Sequence, residues 1–279
     1  MSNATQPKRM LVTDLDGTLL NDDHAIGDTD REALEECRTN GILRVAATGR
    51  SLYSANRVLS ATSPIDYLVF SSGAGIMDWQ NQDLLHAHHI EPPDVERARR
   101  ALIAHKLDFM LHAPIPDNHH FHYYRNNGGN PDFEHRIAIY ANVAQSANTS
   151  TKRTEQACQF VAITPDGVKH VNQLRRELPG LNVIRATSPL DGRSTWIEIF
   201  PPSVSKAQAA AWVADRAGVQ QRETVGVGND FNDEDLLGWT QHSFVVSNAP
   251  EELRARFQVT CSNETGGVAA ALRCAGFIR

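Results

Sequence analysis

The chain has 279 residues, of which 41% are hydrophobic and 22% charged, and its formal net charge is −6. This composition excludes an intrinsically disordered chain, and the length is enough for about two domains. The acidic balance argues against a nucleic-acid-binding protein, which needs clustered Lys and Arg, so we expect a small-molecule partner and no nucleic acid.

The cysteines and the apolar segments indicate where in the cell the protein is expected. Cys37, Cys158, Cys261 and Cys274 are scattered and form no Cys-x-x-Cys pair, so neither a thiolate zinc site nor a dense disulfide framework is predicted. The polar segment Met1–Arg9 lacks the apolar region of an export signal, and no apolar run approaches the ~18 residues of a membrane span. We therefore expect a cytoplasmic protein without a membrane partner, acting as a monomer or a homodimer.

The first part of the chain alternates strand and helix patterns. The predicted elements are a buried strand over Arg9–Asp14, a helix over Thr29–Asn40 with a capping box of Thr29 and Glu32, a strand over Ile42–Ala47, a helix over Ser51–Ala61, and a strand over Tyr67–Phe70. Such alternation predicts parallel βαβ units, in which ligands collect at the carboxyl ends of the strands.

The pattern changes between residues 82 and 194, where histidines cluster and Pro92-Pro93 and Asn130-Pro131 interrupt the periodicity. Helical stretches near Asp94–His105, Asp132–Ala144 and Val168–Glu177 lie among short strands such as Phe160–Thr164. We predict an inserted α+β domain over residues 82–194, which divides an α/β core formed by residues 1–81 and 195–279.

The α/β pattern then resumes. Its predicted elements are a strand over Trp196–Phe200, a helix that begins with a capping box of Ser205 and Gln208 and ends at Gly218, strands over Thr224–Val227 and Phe244–Val246, a helix opened by Pro250, and a last helix near Gly267–Cys274.

The strongest chemical signal is Asp14-Leu15-Asp16-Gly17-Thr18, which directly follows the first predicted strand. Two carboxylates two positions apart can serve as a nucleophile and an acid/base group, and a carboxylate that attacks phosphorus gives an aspartyl-phosphate. Gly17 allows a tight backbone course that exposes amides to an anion. From these residues alone, the alternatives are an ordinary strand-end turn and a simple cation site.

The motif resembles the signature of the haloacid dehalogenase (HAD) superfamily, and three further elements of that signature follow in the same order: Thr48 in Ala-Thr-Gly-Arg, Lys206 in Val-Ser-Lys-Ala-Gln, and the acidic loop Gly228–Asp233. The resemblance covers nearly the whole chain. It implies a Rossmann-like three-layer core with a parallel sheet, with Asp14 as nucleophile, Asp16 as acid/base group, Thr48 and Lys206 as further catalytic residues, and Mg²⁺ as cofactor. The insertion between the second and third elements resembles the Cof-type, sucrose-phosphate-phosphatase-like branch with a large α/β cap (subclass IIB).

Ser71-Ser72-Gly73 departs from the Asn-Gly-Ala loop that is frequent in that branch, because Ser72 replaces the usual Asn. From the resemblance, we expect the substrate to be contacted by Gly17, Gly49, Arg50, Ser72 and Gly73.

The acidic loop departs further. The position of its first Asp, normally a direct Mg²⁺ ligand in the family, is Asn229, whose amide oxygen can ligate but carries no charge. We expect Mg²⁺ to be held by the Asp14 carboxylate, the Asp16 backbone carbonyl and either Asn229 or Asp230, with Asp233 in support. A weakened metal site is the alternative.

The function implied by the resemblance is a Mg²⁺-dependent phosphatase that hydrolyses a small phosphorylated metabolite, such as a sugar phosphate, through an aspartyl-phosphate. A HAD-type phosphomutase and a non-catalytic phosphometabolite-binding protein are the alternatives.

Two groups of histidines lie in the insertion: His86, His88 and His89, and then His119, His120 and His122. No accompanying Cys or helical i, i+4 pair imposes a coordination geometry, so we do not expect a transition-metal site. The segment Asn118–Arg125 is polar and aromatic, and we expect it to help recognise the leaving group of the substrate.

Overall fold

A computed structural model describes residues 8–126, 129–147, 155–165 and 167–279 of the chain. Residues 1–7, 127–128, 148–154 and 166, which the domain predictions include, lie outside the described residues. The strands are β1 Arg9–Thr13, β2 Ile42–Ala47, β3 Tyr67–Phe70, β4 Gly75–Asp78, β5 Asp83–Ala87, β6 Asp108–His112, β7 Phe121–Tyr124, β8 Ala144–Ser146, β9 Phe160–Thr164, β10 Asn182–Thr187, β11 Thr195–Phe200, β12 Thr224–Gly228, β13 His242–Val246 and β14 Gln258–Thr260. The α-helices are α1 Asp28–Thr39, α2 Leu52–Ala55, α3 Pro92–Ala104, α4 Pro131–Ile139, α5 Gly167–Glu177, α6 Lys206–Ala217, α7 Glu234–Trp239, α8 Glu251–Arg254 and α9 Gly267–Cys274.

The chain forms two units. The first comprises the residues up to Arg50, together with Ser54–His86 and Ser205–Arg279, and the second comprises Ser51–Tyr53 and Ala87–Val204. No helix of the described ranges is long and apolar enough to cross a membrane.

The first unit is built on an eight-stranded sheet with the order β14-β13-β12-β1-β2-β3-β4-β5. The strands from β14 to β3 are parallel to their neighbours, and β4 pairs antiparallel with β3. Its central strands are buried on both faces, as parallel sheets covered by helices require.

Helices cover both faces of this sheet. Met10 and Val12 of β1 pack in one core cluster with Ala210 and Val213 of α6. Leu11, which alternation directs to the opposite face, is also fully buried, and α1 and α9 contact each other and the sheet strands β2 and β12. The α/β fold class with a three-layer core and an additional α+β unit is confirmed.

Two predicted helix features of this unit are wrong. Thr29 and Glu32 form no capping box, because α1 begins at Asp28 with Gly27 as its N-cap, so Thr29 lies in the first turn and packs at Gly266. The helix predicted over Ser51–Ala61 is only one turn, α2, after which the backbone bonds of Arg57 and Val58 reach back three residues and tighten the chain into turns.

The second unit has a six-stranded sheet with the order β10-β11-β9-β6-β7-β8, antiparallel except for the β7–β8 pair. Phe109 of β6 packs in one cluster with residues of α3 and α5, and Met110, the next residue, packs in another with Phe133 of α4. Because neighbouring residues in a strand point to opposite faces, α3 and α5 cover one face and α4 covers the other.

The placement of β11 corrects a prediction. Trp196–Phe200 was expected to return the chain to the α/β core, but β11 lies between β10 and β9 in the second sheet. Every residue of β11 is buried. Interior strands of both sheets share this pattern, so the periodicity of the sequence does not show to which sheet β11 belongs. The chain returns to the first unit at Ser205.

Candidate active site

The predicted site residues lie at the carboxyl ends of the central strands of the first unit. Asp14 follows β1, Thr48 follows β2 and Asn229 follows β12. These strands are parallel neighbours, so their carboxyl ends meet at one edge of the sheet, where ligands bind in α/β folds. The pairing continues into the loops: the Asp14 N–H donates to the Val227 carbonyl (2.9 Å) and the Thr48 N–H to the Val69 carbonyl (2.8 Å).

A buried ion cluster lies at this edge. Lys206 Nζ donates to Asp14 Oδ1 and to Asp233 Oδ1, both at 2.6 Å. The side chains of Lys206 and Asp233 are fully buried, and that of Asp14 is 7% exposed. Lys206 is the first residue of α6, and the Ser205 hydroxyl caps this helix by accepting the Gln208 N–H, which is the Ser205 half of the predicted capping box.

Burial dominates the electrostatics of the cluster. It raises the pKa of the Asp14 carboxyl to about 8 against the lowering effect of the Lys206 ammonium, while Asp233 and Asp16 raise it further. Burial alone would lower the pKa of Lys206, but the Asp14 and Asp233 carboxylates outweigh it and hold that pKa above its usual range. Lys206 therefore stays protonated, and its charge favours the ionised form of Asp14.

Asp16 is held by Arg50. The Arg50 guanidinium donates to both carboxylate oxygens, at 2.7 Å from Nε to Oδ2 and 2.6 Å from Nη2 to Oδ1, and its Nη1 donates to the Ser54 hydroxyl at 3.1 Å. This two-point geometry fixes the orientation of the Asp16 side chain. Arg50, expected as a substrate contact, thus lies beside the acid/base candidate.

The loops after β2 and β3 support each other. Thr48 is buried and its hydroxyl oxygen accepts the Arg50 N–H (3.1 Å), while its carbonyl accepts the Ser72 N–H (2.9 Å). Ser71 and Ser72 both have φ near +50°, a left-handed conformation that non-glycine residues rarely adopt and that clusters at functional sites. Gly49 lies between Thr48 and Arg50 in this arrangement.

Gly73 is required by a close approach. A Cβ at this position would lie 2.4 Å from the Ser205 carbonyl oxygen, and the φ of Gly73 is +105°. Since Ser205 directly precedes Lys206, Gly73 allows the loop after β3 to lie against the start of α6. Gly73 and Ser72 are both buried, so their placement supports the loop next to the ion cluster.

The Asp14–Gly17 loop is also packed tightly. Gly17 has φ +67°, and a Cβ there would lie 2.5 Å from Asn229 Nδ2. Asn248 Nδ2 donates to the Gly17 carbonyl (2.8 Å). Asn248 was not identified from the sequence, although its position two residues after β13 follows the same strand-end rule that identified the others.

The acidic loop after β12 is organised by its last carboxylate. Asp233 Oδ2 accepts the N–H groups of Asn229 (2.9 Å) and Asp230 (3.1 Å), while Oδ1 binds Lys206. The Asp230 carboxylate accepts the backbone N–H of Asp233, which completes a capping box. Asn229 is left with its side chain against Gly17.

The donor chemistry at this edge fits Mg²⁺, which prefers oxygen ligands and is usually held by one or two carboxylates. The Asp14 carboxylate, the Asp16 backbone carbonyl and the Asn229 amide belong to loops that lie against each other. This set has one carboxylate. Within the described ranges, no three or more His, Cys, Asp or Glu side chains are arranged so that they could hold a metal ion. The candidate Mg²⁺ ligands are of another kind, because they combine one carboxylate with a backbone carbonyl and an amide.

The histidines of the first sequence cluster have separate contacts. The His86 ring stacks on Trp212 (5.5 Å between centroids), His88 Nδ1 lies 3.1 Å from the Ser203 hydroxyl, and His89 Nε2 accepts the Ile115 N–H at 3.1 Å.

Comparison with known proteins places these features in context. The family model of haloacid dehalogenase-like hydrolases matches residues 11–272. A 5-amino-6-(5-phospho-D-ribitylamino)uracil phosphatase of Bacillus subtilis is 25% identical over 292 residues, covering 94% of this chain and 96% of that protein. An HMP-PP phosphatase of Yersinia enterocolitica is 24% identical over 271 residues, covering 94% and 93% of the two chains. The solved structure of a HAD-superfamily phosphatase from Bacteroides thetaiotaomicron has a similar fold, with a TM-score of 0.77, 20% identity and coverage of 100% of this chain and 98% of that one.

Proposed function

Because this chain belongs to the family of haloacid dehalogenase-like hydrolases, we propose that it is a phosphatase that hydrolyses a small phosphorylated metabolite through an aspartyl-phosphate on Asp14. The observation that carries the proposal is the buried contact of Asp14 with Lys206, at the sheet edge where α/β proteins bind ligands. The names of the relatives, phosphatases of small phosphorylated compounds, support this substrate class.

The first step forms a bond between an Asp14 carboxylate oxygen and phosphorus and breaks the bond from phosphorus to the leaving alcohol. Asp16 gives a proton to that alcohol, and Lys206 offsets the negative charge of Asp14 and the phosphoryl group. In the second step Asp16 takes a proton from water, which attacks phosphorus and releases phosphate and free Asp14.

The remaining site residues position these groups. Arg50 orients Asp16 by its two-point contact. Thr48 offers its hydroxyl to a phosphoryl oxygen, and Gly17, Gly49, Ser72 and Gly73 shape the loops around it. Mg²⁺, when held by Asp14, the Asp16 carbonyl and the acidic loop, supplies further positive charge to the phosphoryl oxygens. We assign substrate selection to the second unit, including its segment Asn118–Arg125.

The test is phosphate release from a panel of phosphate esters, with sugar phosphates included, in the presence of Mg²⁺. We expect turnover by the native protein and none by Asp14→Asn. Absence of release from every ester, or full activity of Asp14→Asn, would refute the proposal. An isomerised phosphate ester without free phosphate would instead identify a phosphomutase.

Asn229 favours a second candidate, a protein that binds phosphorylated metabolites without turnover. Its amide brings no charge to a position where the family usually has a carboxylate, which weakens the metal site. Tight binding of an ester from the panel, measured by calorimetry, with no phosphate release at saturating Mg²⁺ would favour this candidate.

A further inference from the structure

The acidic loop after β12 contains two carboxylates and one amide, and their contacts divide the roles among them. Asp233 has both oxygens engaged, one by Lys206 and the other by two backbone N–H groups of the loop. It is also fully buried. Asp233 therefore holds the loop together and neutralises Lys206, and no oxygen of its side chain is without a hydrogen bond.

Asp230 is one residue away from the family position and could in principle replace the missing carboxylate. Its side chain, however, accepts the N–H of Asp233 in a capping box at the start of the turn Phe231–Asp233. Capping of this kind fixes a carboxylate over its own turn and contributes about 1 kcal/mol to stability. The Asp230 carboxylate thus faces the turn that follows it.

Asn229 has the opposite placement. Its backbone N–H donates to the Asp233 carboxylate at 2.9 Å, and its Nδ2 lies 2.5 Å from the position that a Cβ on Gly17 would take. Gly17 belongs to the Asp14–Thr18 motif, so the Asn229 side chain lies against the loop that carries the nucleophile. The positive φ of Gly17 favours glycine there, and an added Cβ would have to displace the Asn229 amide.

From this division, and resting on the proposed function, we propose that Asn229 and not Asp230 is the ligand that the acidic loop gives to Mg²⁺, so that Asp14 is the sole carboxylate on the metal. Metal affinity in oxygen-ligand sites rises with the number of charged ligands. The site accordingly binds Mg²⁺ more weakly than the same site with a carboxylate at position 229.

The test measures Mg²⁺ binding directly, by isothermal calorimetry and by the Mg²⁺-dependent rise in unfolding temperature. We expect Asn229→Asp to bind Mg²⁺ about tenfold more tightly or better. Without metal this variant should unfold at a lower temperature than the native protein, because it adds a negative charge near Asp14 and Asp233, and Mg²⁺ should raise its unfolding temperature by more.

Two further variants keep the result interpretable. Asp230→Asn is the matched control: asparagine also caps a turn, so its Mg²⁺ affinity should stay within about twofold of native. Asn229→Ala removes the amide oxygen without adding charge, and should weaken Mg²⁺ binding about tenfold. Loss of Mg²⁺ binding in Asp230→Asn, or unchanged affinity in both Asn229 variants, would overturn the assignment.

These outcomes are separable from those of the proposed function. A native protein that binds Mg²⁺ through Asn229 but releases no phosphate from any ester refutes the phosphatase and leaves the ligand assignment standing. Phosphate release with an affinity pattern that follows Asp230 refutes the assignment and leaves the phosphatase standing.

Discussion

Replacing Lys206 by Met tests the buried ion cluster at the centre of the site. Met keeps most of the apolar length of the side chain and removes the ammonium that binds Asp14 and Asp233, each at 2.6 Å. The variant leaves two carboxylates in a region where the Asp233 side chain is fully buried and the Asp14 side chain is 7% exposed.

The expected loss of stability follows from the unpaired charges. Removing one partner of a buried ion pair destabilises a protein by about 3–5 kcal/mol, and here one substitution removes the partner of two carboxylates. Without Lys206 the pKa of the Asp14 carboxyl, which burial already raises to about 8, rises further above its unfolded-state value. Protonation of Asp14 relieves the repulsion, so the loss is smallest in acid and grows as pH rises through the raised pKa of Asp14.

The assay is urea unfolding of the native protein and of Lys206→Met at several values between about pH 5 and pH 8, with kcat/KM measured on the best ester of the panel. We expect kcat/KM to fall at least about 10²–10³-fold. Lys169→Met, which removes an exposed Lys from α5, is the control and should change neither quantity. Adding Asp233→Asn to Lys206→Met should recover part of the stability, because it removes one of the uncompensated charges. A stability loss below about 1 kcal/mol, or one that does not depend on pH, would refute the reasoning.

Three further variants test other parts of the structure. Arg50→Lys keeps the charge but loses the two-point contact with Asp16, so kcat/KM should fall about tenfold or more with little change in unfolding temperature; unchanged turnover would remove Arg50 from the account. Burial lowers the pKa of His112 from 6.5 to about 3, so the folded state binds fewer protons than the unfolded chain between these values, and stability should fall as pH falls through this range. His112→Asn should flatten that dependence in unfolding experiments, and an unchanged slope would contradict it. Gly17→Ala should lose more stability than Gly41→Ala. Both glycines have φ near +70°, so both variants carry a backbone penalty of about 1–2 kcal/mol, but only an Ala side chain at position 17 meets other atoms within 4 Å. Equal losses of stability would argue against the close contact at Gly17.

The strand-end rule explains why much of the site could be predicted from the sequence. Asp14 and Thr48 follow apolar runs, and the parallel order of such strands brings their carboxyl ends to one edge. The same reasoning did not assign β11 to its sheet, because a strand buried on both faces has the same pattern in either sheet. It also did not show that Thr29 lies within the first turn of α1, where it packs at Gly266 and does not cap the helix.

Contacts between distant side chains were the least accessible to sequence reasoning. Arg50 was expected to contact the substrate, and its contact with Asp16 depends on how the loops after β1 and β2 approach each other. The alternatives Asn229 and Asp230 differ by one position, and the capping box that engages Asp230 depends on the turn that follows. Asn248 carries no motif and becomes relevant through its hydrogen bond to the Gly17 carbonyl.

Asp14 receives the phosphoryl group in the proposed reaction, and chemical trapping tests this step most directly. The enzyme is mixed with a phosphate ester labelled on its phosphoryl group, denatured in acid during turnover, digested, and searched by mass spectrometry for the labelled peptide. We expect the label on Asp14, and none on the protein in Asp14→Asn. Label on another residue, or rapid phosphate release with no protein-bound label at any time during turnover, would contradict the account.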